Sequence, residues 1–209
     1  MDNQHSVIFE HVKSDTNVFP LTIHAHEEKT YIFLLTPKKP MHVDVSVLLS
    51  EKQSRVTVYG IIIPELHADV HITTRQVHQN TDSTSLFIFR SLLLSDASVS
   101  YNGGIVIGKK AKRSYAFQQH DSMILSPHAK VETRPTLEIL NNNVTCKHGT
   151  TIQTIPQDIL WYAHTRGIGK KQAETLYAQG FIQTIIDKIP DLTIQDLVYN
   201  QCKEHIESI

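Results

Sequence analysis

A chain of 209 residues has room for one sizeable domain and a small appendage, and a domain of that size buries roughly 70% of its unfolded surface without a covalent staple. With 20 Lys and Arg against 21 Asp and Glu the net charge is −1, so no basic excess points to nucleic acid or to an acidic membrane. Two cysteines, Cys146 and Cys202, exclude the disulfide framework of a small secreted protein and suit the reducing cytoplasm, while Met1 to Glu10 offer neither a signal peptide nor a membrane span.

From Val18 to about Ile152 the apolar residues recur with a period of two, as a pleat requires when one strand face is buried and the other wet. The first strands are predicted at Leu21–Ala25 and Tyr31–Leu35. Next come Val43, Val45, Val47 and Leu49, alternating with His42, Asp44, Ser46 and Leu48. Further strands follow at Arg55–Ile63, Ala68–Ile72, Leu86–Phe89, Ile105–Ile107, Ser114–Gln118, Leu137–Leu140 and Val144–His148. Turn residues at Pro37–Pro40, Asn80–Ser83, Asn102–Gly104 and Asn141–Asn143 separate many of them. Periodicity alone leaves a sandwich, a barrel and a β-helix open, and no strict hexapeptide or nonapeptide repeat is present.

After Pro156 the period becomes helical. One helix runs from that proline to Gly167, a residue suited to the left-handed position past a helix end. A second begins near Lys170 and carries Ala173, Leu176, Tyr177, Gly180 and Phe181 on one face, continued by Ile182, Ile185, Ile186 and Ile189 toward Pro190. Thr193 with Asp196 resembles a capping pair for a third helix whose apolar side holds Ile194, Leu197, Val198, Cys202 and Ile206. The chain thus divides into a β core over residues 1–152 and a helical domain over 153–209. The tail either folds back on the core or presents a helix to a partner's groove.

Thirteen histidines invite a metal reading, although imidazoles scattered over half-exposed strand faces give the same total. His24 and His26 are expected on one strand face, an arrangement that places two imidazoles on one metal in β-barrel enzymes. In the cupin pattern a glutamate follows the second histidine after three or four residues, and Glu27 and Glu28 come too early. Cys146 and His148 also stand two apart, about 6.6 Å between Cα atoms in a strand. A metal ion can bridge that gap, but two ligands leave it half coordinated, so further ligands must come from another strand or another chain. A small buried apolar side chain is the alternative for Cys146. Gly103 with Gly104 and Gly167 with Gly169 form no phosphate loop.

The stretch from Thr133 to Phe181 carries a specific pattern: Pro135 to Ile139 (PTLEI), Val144 to Thr151 (VTCKHGTT), the pair Trp161 and Tyr162, Thr165 to Gly167 (TRG), and Gly180 with Phe181. It resembles the C-terminal core of the SufB/SufD family of iron–sulfur cluster assembly proteins. Weaker likeness extends back through Met123 to Ser126, Tyr101 to Ile107, and Val77, His78 and Ser85. A cysteine is expected of SufB-type members where Ala129 stands, and an acidic residue where Gly149 stands, so the SufD type fits better. The N-terminal helical region usual in SufD is missing and the β region is shortened. His120 and Asp121 replace an asparagine-rich pattern, and Gln153 replaces a common glycine.

The resemblance implies a mainly β chain: a right-handed parallel β-helix followed by a small C-terminal α-helical domain. It also implies that the protein works as a scaffold, not as an enzyme. A SufB-like subunit would pair along the β-helix, and the SufC-type ABC ATPase would dock on helices bearing Trp161, Tyr162, Arg166, Gly167 and Phe181. His148, with Cys146 as neighbour, would lie at the cluster-assembly interface as a ligand for transient iron or an iron–sulfur cluster, no cofactor being held tightly. The departures permit a homodimer. Two other readings stand beside this one: a metal-dependent β enzyme using His24, His26 and further histidines, and a structural β-helix adaptor without cluster chemistry.

Overall fold

The computed structural model describes residues 5–13 and 16–207. Among them, eleven strands precede three helices. The strands are β1 (His5–Val12), β2 (Asn17–Ile23), β3 (Glu28–Leu35), β4 (Met41–Leu49), β5 (Arg55–Ile62), β6 (Asp69–His78), β7 (Thr84–Leu93), β8 (Ser98–Ile107), β9 (Tyr115–Ile124), β10 (Lys130–Ile139) and β11 (Thr145–Gln153). Odd strands form one sheet in the order β1-β3-β5-β7-β9-β11, and even strands form a second in the order β10-β8-β6-β4-β2. All neighbours are parallel, so each strand lies beside the one a full coil earlier: Tyr31 beside Val58, and Val58 beside Phe87. The predicted β-helix, mainly β with helices at its C-terminal end, is the fold observed.

The even sheet shows the alternation that the sequence promised. In β4, Met41, Val43, Val45, Val47 and Leu49 are buried while His42, Asp44, Ser46 and Leu48 face outward. Its inner face meets that of the odd sheet through Val45, Val58, Ile72, Phe87, Phe89 and Tyr101. The inner strands of the odd sheet, β3, β5, β7 and β9, are buried on both faces over much of their length, which turns a period of two into continuous apolar runs; Thr30 to Leu35 are all buried. Ile32, Leu34, Ile61, Ile88, Leu92 and Met123 form its outer layer, packed against the helices.

Corners from the even to the odd sheet share one backbone solution. His26, Gln53, Asp82 and Arg113 adopt positive φ values of 62°, 58°, 60° and 56°. Their loops hydrogen-bond from coil to coil, as in Asp82 N–H to Lys112 O and Arg113 N–H to Asn143 O, and the Arg113 guanidinium grips the Asp82 carboxylate through two 2.7 Å bonds. This ladder recovers part of the roughly 1–2 kcal/mol that a left-handed L-residue costs.

The helices are α1 (Gln157–Thr165), α2 (Lys170–Ile186) and α3 (Leu192–Ile206). Pro156 opens α1, and Gly167, at φ 78°, lies just past its end. The apolar stripes fold back on the core: Phe181, Ile182, Ile185 and Ile186 of α2 and Val198, Cys202 and Ile206 of α3 join the outer layer of the odd sheet. No helix of the described residues is long and apolar enough to cross a membrane.

Four local expectations need correction. Strand β1 was not anticipated, while residues 1–4 of the leading stretch lie outside the described residues. Asn102 to Gly104 lie inside β8, not in a turn, because Gly103 makes room for a neighbour on the inner face. The cap of α3 is Asp191, whose carboxylate accepts the Ile194 N–H at 3.0 Å, and Thr193 and Asp196 sit within the helix. His24 and His26 do not share a strand face: His24 follows the end of β2, and His26 occupies the left-handed corner.

Candidate functional site

The last coil of the solenoid is unfinished. Among the described residues β10 pairs only with β8 and β11 only with β9, so each leaves a row of backbone N–H and C=O groups without a strand partner there. A further strand can complete such an edge. Register identifies the inward residues: Thr133, Pro135, Leu137 and Ile139 lie beside buried Tyr101, Gly103, Ile105 and Ile107, and Cys146, His148, Thr150 and Ile152 lie beside Ala116, Gln118, His120 and Ser122. With no later coil above them these positions are uncovered. Leu137 is 41% and Ile152 51% exposed, and Ile139 and Leu140 add to the same apolar rim. Patches of this kind on otherwise polar surfaces mark interaction sites.

His148 is exposed on this rim, and Cys146 is half-buried against Ile105, Ile107, Ala111 and Ala116. Burial pushes the Cys146 thiol above its ordinary value, so at neutral pH it is a thiol, not a nucleophilic thiolate. Among the described residues no three His, Cys, Asp or Glu side chains are grouped to hold a metal ion. His148 and Cys146 therefore need ligands from outside this chain to complete a metal or cluster site. The His24–His26 enzyme reading loses its premise, because His24 instead approaches Glu51 at 3.3 Å on the surface.

Below the rim the interior turns polar, a feature that sequence reasoning missed. Ser85 donates to Gln76 Oε1 at 2.5 Å, so it accepts from His78 Nε2–H at 2.7 Å, and His78 Nδ1 in turn accepts from Ser83 at 2.7 Å. Gln76 Nε2 donates to Gln118 Oε1 at 3.3 Å. Gln118 occupies space that only a glycine leaves: a Cβ on Gly103 would stand 1.7 Å from its Nε2. One row along, His120 Nδ1 meets Thr133 Oγ1 at 2.9 Å, Nε2 meets Ser91 Oγ at 2.8 Å, and the ring stacks on Tyr101 at 4.4 Å. These residues scatter over five strands, β6 to β10, and the corner before β7, and are joined only by winding the chain, so no local spacing in the sequence announces them.

Burial holds both imidazoles down to about 4. An unfolded chain protonates them near 6.5, so between the two values it binds more protons than the folded chain does. Stability is complete above the upper value and declines as pH falls toward the lower, by roughly 3 kcal/mol per imidazole. Thermal unfolding followed from neutral pH down to about 4.5 is expected to show a steadily falling Tm. Replacing His78 by Gln is expected to flatten that slope.

Helix α1 buries none of its residues, which for a helix beside an apolar core leaves its aromatic face unused. Trp161 is 69% and Tyr162 55% exposed. The Arg166 guanidinium lies 5.2 Å above the Tyr162 ring, holding a flat cationic–aromatic surface next to the turn at Gly167. Phe181, expected on the same docking face, is instead only 8% exposed and packs beneath α2. It supports the helix from below.

Comparison with known proteins adds an independent line. The family model for the SUF system FeS cluster assembly SufBD core domain matches residues 23–181. An iron–sulfur cluster assembly SufBD family protein of Synechocystis sp. is 25% identical over 132 residues, 63% of this chain and 28% of that protein. The chloroplastic protein ABCI7 of Arabidopsis thaliana is 25% identical over 163 residues, 78% of this chain and 34% of its own. The SufBD family protein ycf24 of Galdieria sulphuraria is 23% identical over 145 residues, 69% of this chain and 66% of its own. The chain thus spans about a third of the length of the first two relatives.

Proposed function

The chain belongs to the SufBD core domain family of the SUF system for iron–sulfur cluster assembly, and from that membership we propose that it is a SufD-like scaffold, not itself an enzyme. Its open end would pair with a SufB-like subunit and its helical tail would receive a SufC-type ABC ATPase. The observation that carries this reading is the unfinished last coil, which sets two unpaired strand edges, an apolar rim and His148 on one surface. A SufB-like chain with a matching end would supply the hydrogen bonds, the apolar cover and the missing ligands at once. The SufD type is supported by Ala129, a small side chain packed against the core where a thiol is expected of SufB-type members. Gly149 likewise puts no carboxylate next to His148.

On this reading iron, sulfide or a nascent cluster is cargo passing through the interface, and His148 serves there as a neutral ligand or proton carrier. Cys146 contributes only if a bound metal displaces its proton. Exposed Trp161 and Tyr162, with Arg166, would form the contact with the ATPase. Movement of the ATPase would act on α2 and, through Ile182, Ile185 and Met123 in one apolar cluster, on β9 beside β11. Such coupling shifts a population only when the ATPase binds two interface states unequally. Free Cys146 and Cys202 support a reducing compartment for this work, which we take to be the cytoplasm.

Replacing His148 by Ala tests the site. Reconstituted with SufB-like and SufC-type partners, the variant is expected to assemble normally and to form cluster at least about tenfold more slowly, the usual scale for losing a metal-site group. Cluster yield at the wild-type rate in an intact complex would remove His148 from the site and leave the adaptor reading.

A further inference from the structure

We propose that His120 is a positioning residue for the open end: from beneath, it holds β10 at a set distance from the odd sheet, so that both free edges can meet one partner together. The inference rests on the reading of that end as the pairing surface. Strand β10 needs such a hold. Val131 packs against the interior cluster, but inward side chains beyond it lie uncovered, Leu137 at 41% and Ile139 at 43% exposed. Among the described residues, the 2.9 Å bond between Thr133 Oγ1 and His120 Nδ1 is the one side-chain hydrogen bond that joins β10 to the odd sheet. The other side-chain bonds of β10 stay on the even sheet, from Arg134 to Glu132 and from Thr136 to the Gly103 carbonyl.

The imidazole is held as a strut. It is 1% exposed, and both ring nitrogens and one ring face are engaged. Nε2 meets Ser91 Oγ on β7 at 2.8 Å and Ser122 Oγ on β9 at 3.3 Å, and the ring centroid lies 4.4 Å from that of Tyr101 on β8, with 26° between the planes. Tyr101 is fixed in turn by a 2.8 Å hydroxyl bond to Thr74 on β6. A neutral imidazole offers one donor and one acceptor, and hydroxyls on both sides answer either. Register sets Thr133 beside Tyr101 and Thr150 beside His120. The bond to Thr133 therefore runs one layer under the rim, from β10 to the strand that carries β11.

Fixing that distance matters because the two free edges belong to different sheets. A partner that adds a strand to each edge binds at two points, and the second contact gains only when the spacing matches. An edge that has to be brought into place on binding costs affinity, and an edge already held does not.

Buried His78 provides the control, since it bonds Ser83 and Ser85 and, among the described residues, neither terminal strand. His78→Gln and His120→Gln are both expected to lower the Tm. Only His120→Gln is expected to weaken association of the full chain with a SufB-like subunit, by about tenfold. Thr133→Val keeps the shape and removes the hydroxyl; it is expected to weaken association by the same factor and to add nothing when combined with His120→Gln. In the free chain Thr133→Val is expected to speed amide exchange from Thr136 to Ile139 and to leave β11 unchanged. Wild-type affinity in His120→Gln, equal loss in His78→Gln, full additivity with Thr133→Val, or unaltered exchange in β10 would each overturn the proposal. A wild-type chain that binds no SufB-like subunit, with exchange in β10 responding as expected, would instead overturn the pairing reading and with it the role of the strut.

Discussion

Placing aspartate at both Leu137 and Ile152 is expected to abolish subunit pairing while leaving the isolated chain folded. Both side chains point toward the solenoid axis at its uncovered end, 41% and 51% exposed, so the free protein loses little. In a complex they would be covered, and an unpaired carboxylate buried at the centre of an interface costs several kcal/mol. Two such charges are expected to weaken association with a SufB-like subunit at least about a hundredfold, read by titration calorimetry or by loss of the complex on size-exclusion chromatography. The same variant tests self-pairing, because a two-fold homodimer would bring the same rim against itself. Wild-type affinity in the double variant would mean that partners do not meet this chain at its open end.

A change in the core carries the second large effect. Phe89 is fully buried, 5.3 Å from Tyr101 and 6.3 Å from Phe87 in ring-to-ring distance, and it fills space left by Gly60, where a Cβ would stand 2.1 Å from its ring. Phe89→Ala is expected to destabilise the chain by about 4 kcal/mol, the sum of lost transfer energy and an uncollapsed cavity. Urea unfolding gives the value. Adding Gly60→Val to that variant is expected to restore part of the loss, since the new side chain enters the vacated volume. The same valine without the Phe89 change is expected to be destabilising.

Most strands were legible because the even sheet has one wet face. Val43 to Leu49 and Ala68 to Ile72 show their alternation directly. β1 was not legible, and its place in the fold explains why: Ile8 packs toward the interior cluster while Val7 and Phe9 pack toward the helical one, so apolar residues fall on both faces and no period of two emerges. The corners were legible where Asn and Pro mark them and silent at Gln53 and Arg113. These residues are held at positive φ by stacked neighbours and not by their own preference. Asn102 to Gly104 misled for the opposite reason, since glycine there serves close packing inside a strand.

The candidate site was legible unevenly. His148 and Cys146 stand out through family resemblance, and their shared face follows from a spacing of two. That they sit on an uncovered rim depends on β11 being the last strand, which only the winding reveals. Buried His78 and His120 come together from different coils, so nothing local identifies them. Phe181 was assigned to a docking surface by its motif, but its ring faces the sheet because the stripe of α2 has to be buried somewhere.

Hydrogen exchange at the strand edges tests the central claim most directly. When a SufB-like subunit is added, the backbone amides of β11 from Thr145 to Gln153 and of β10 from Lys130 to Ile139 are expected to become protected. The corners at Gln53 and Asp82 should stay unchanged. Binding that leaves both terminal strands exchanging as they do in the free chain would contradict the account.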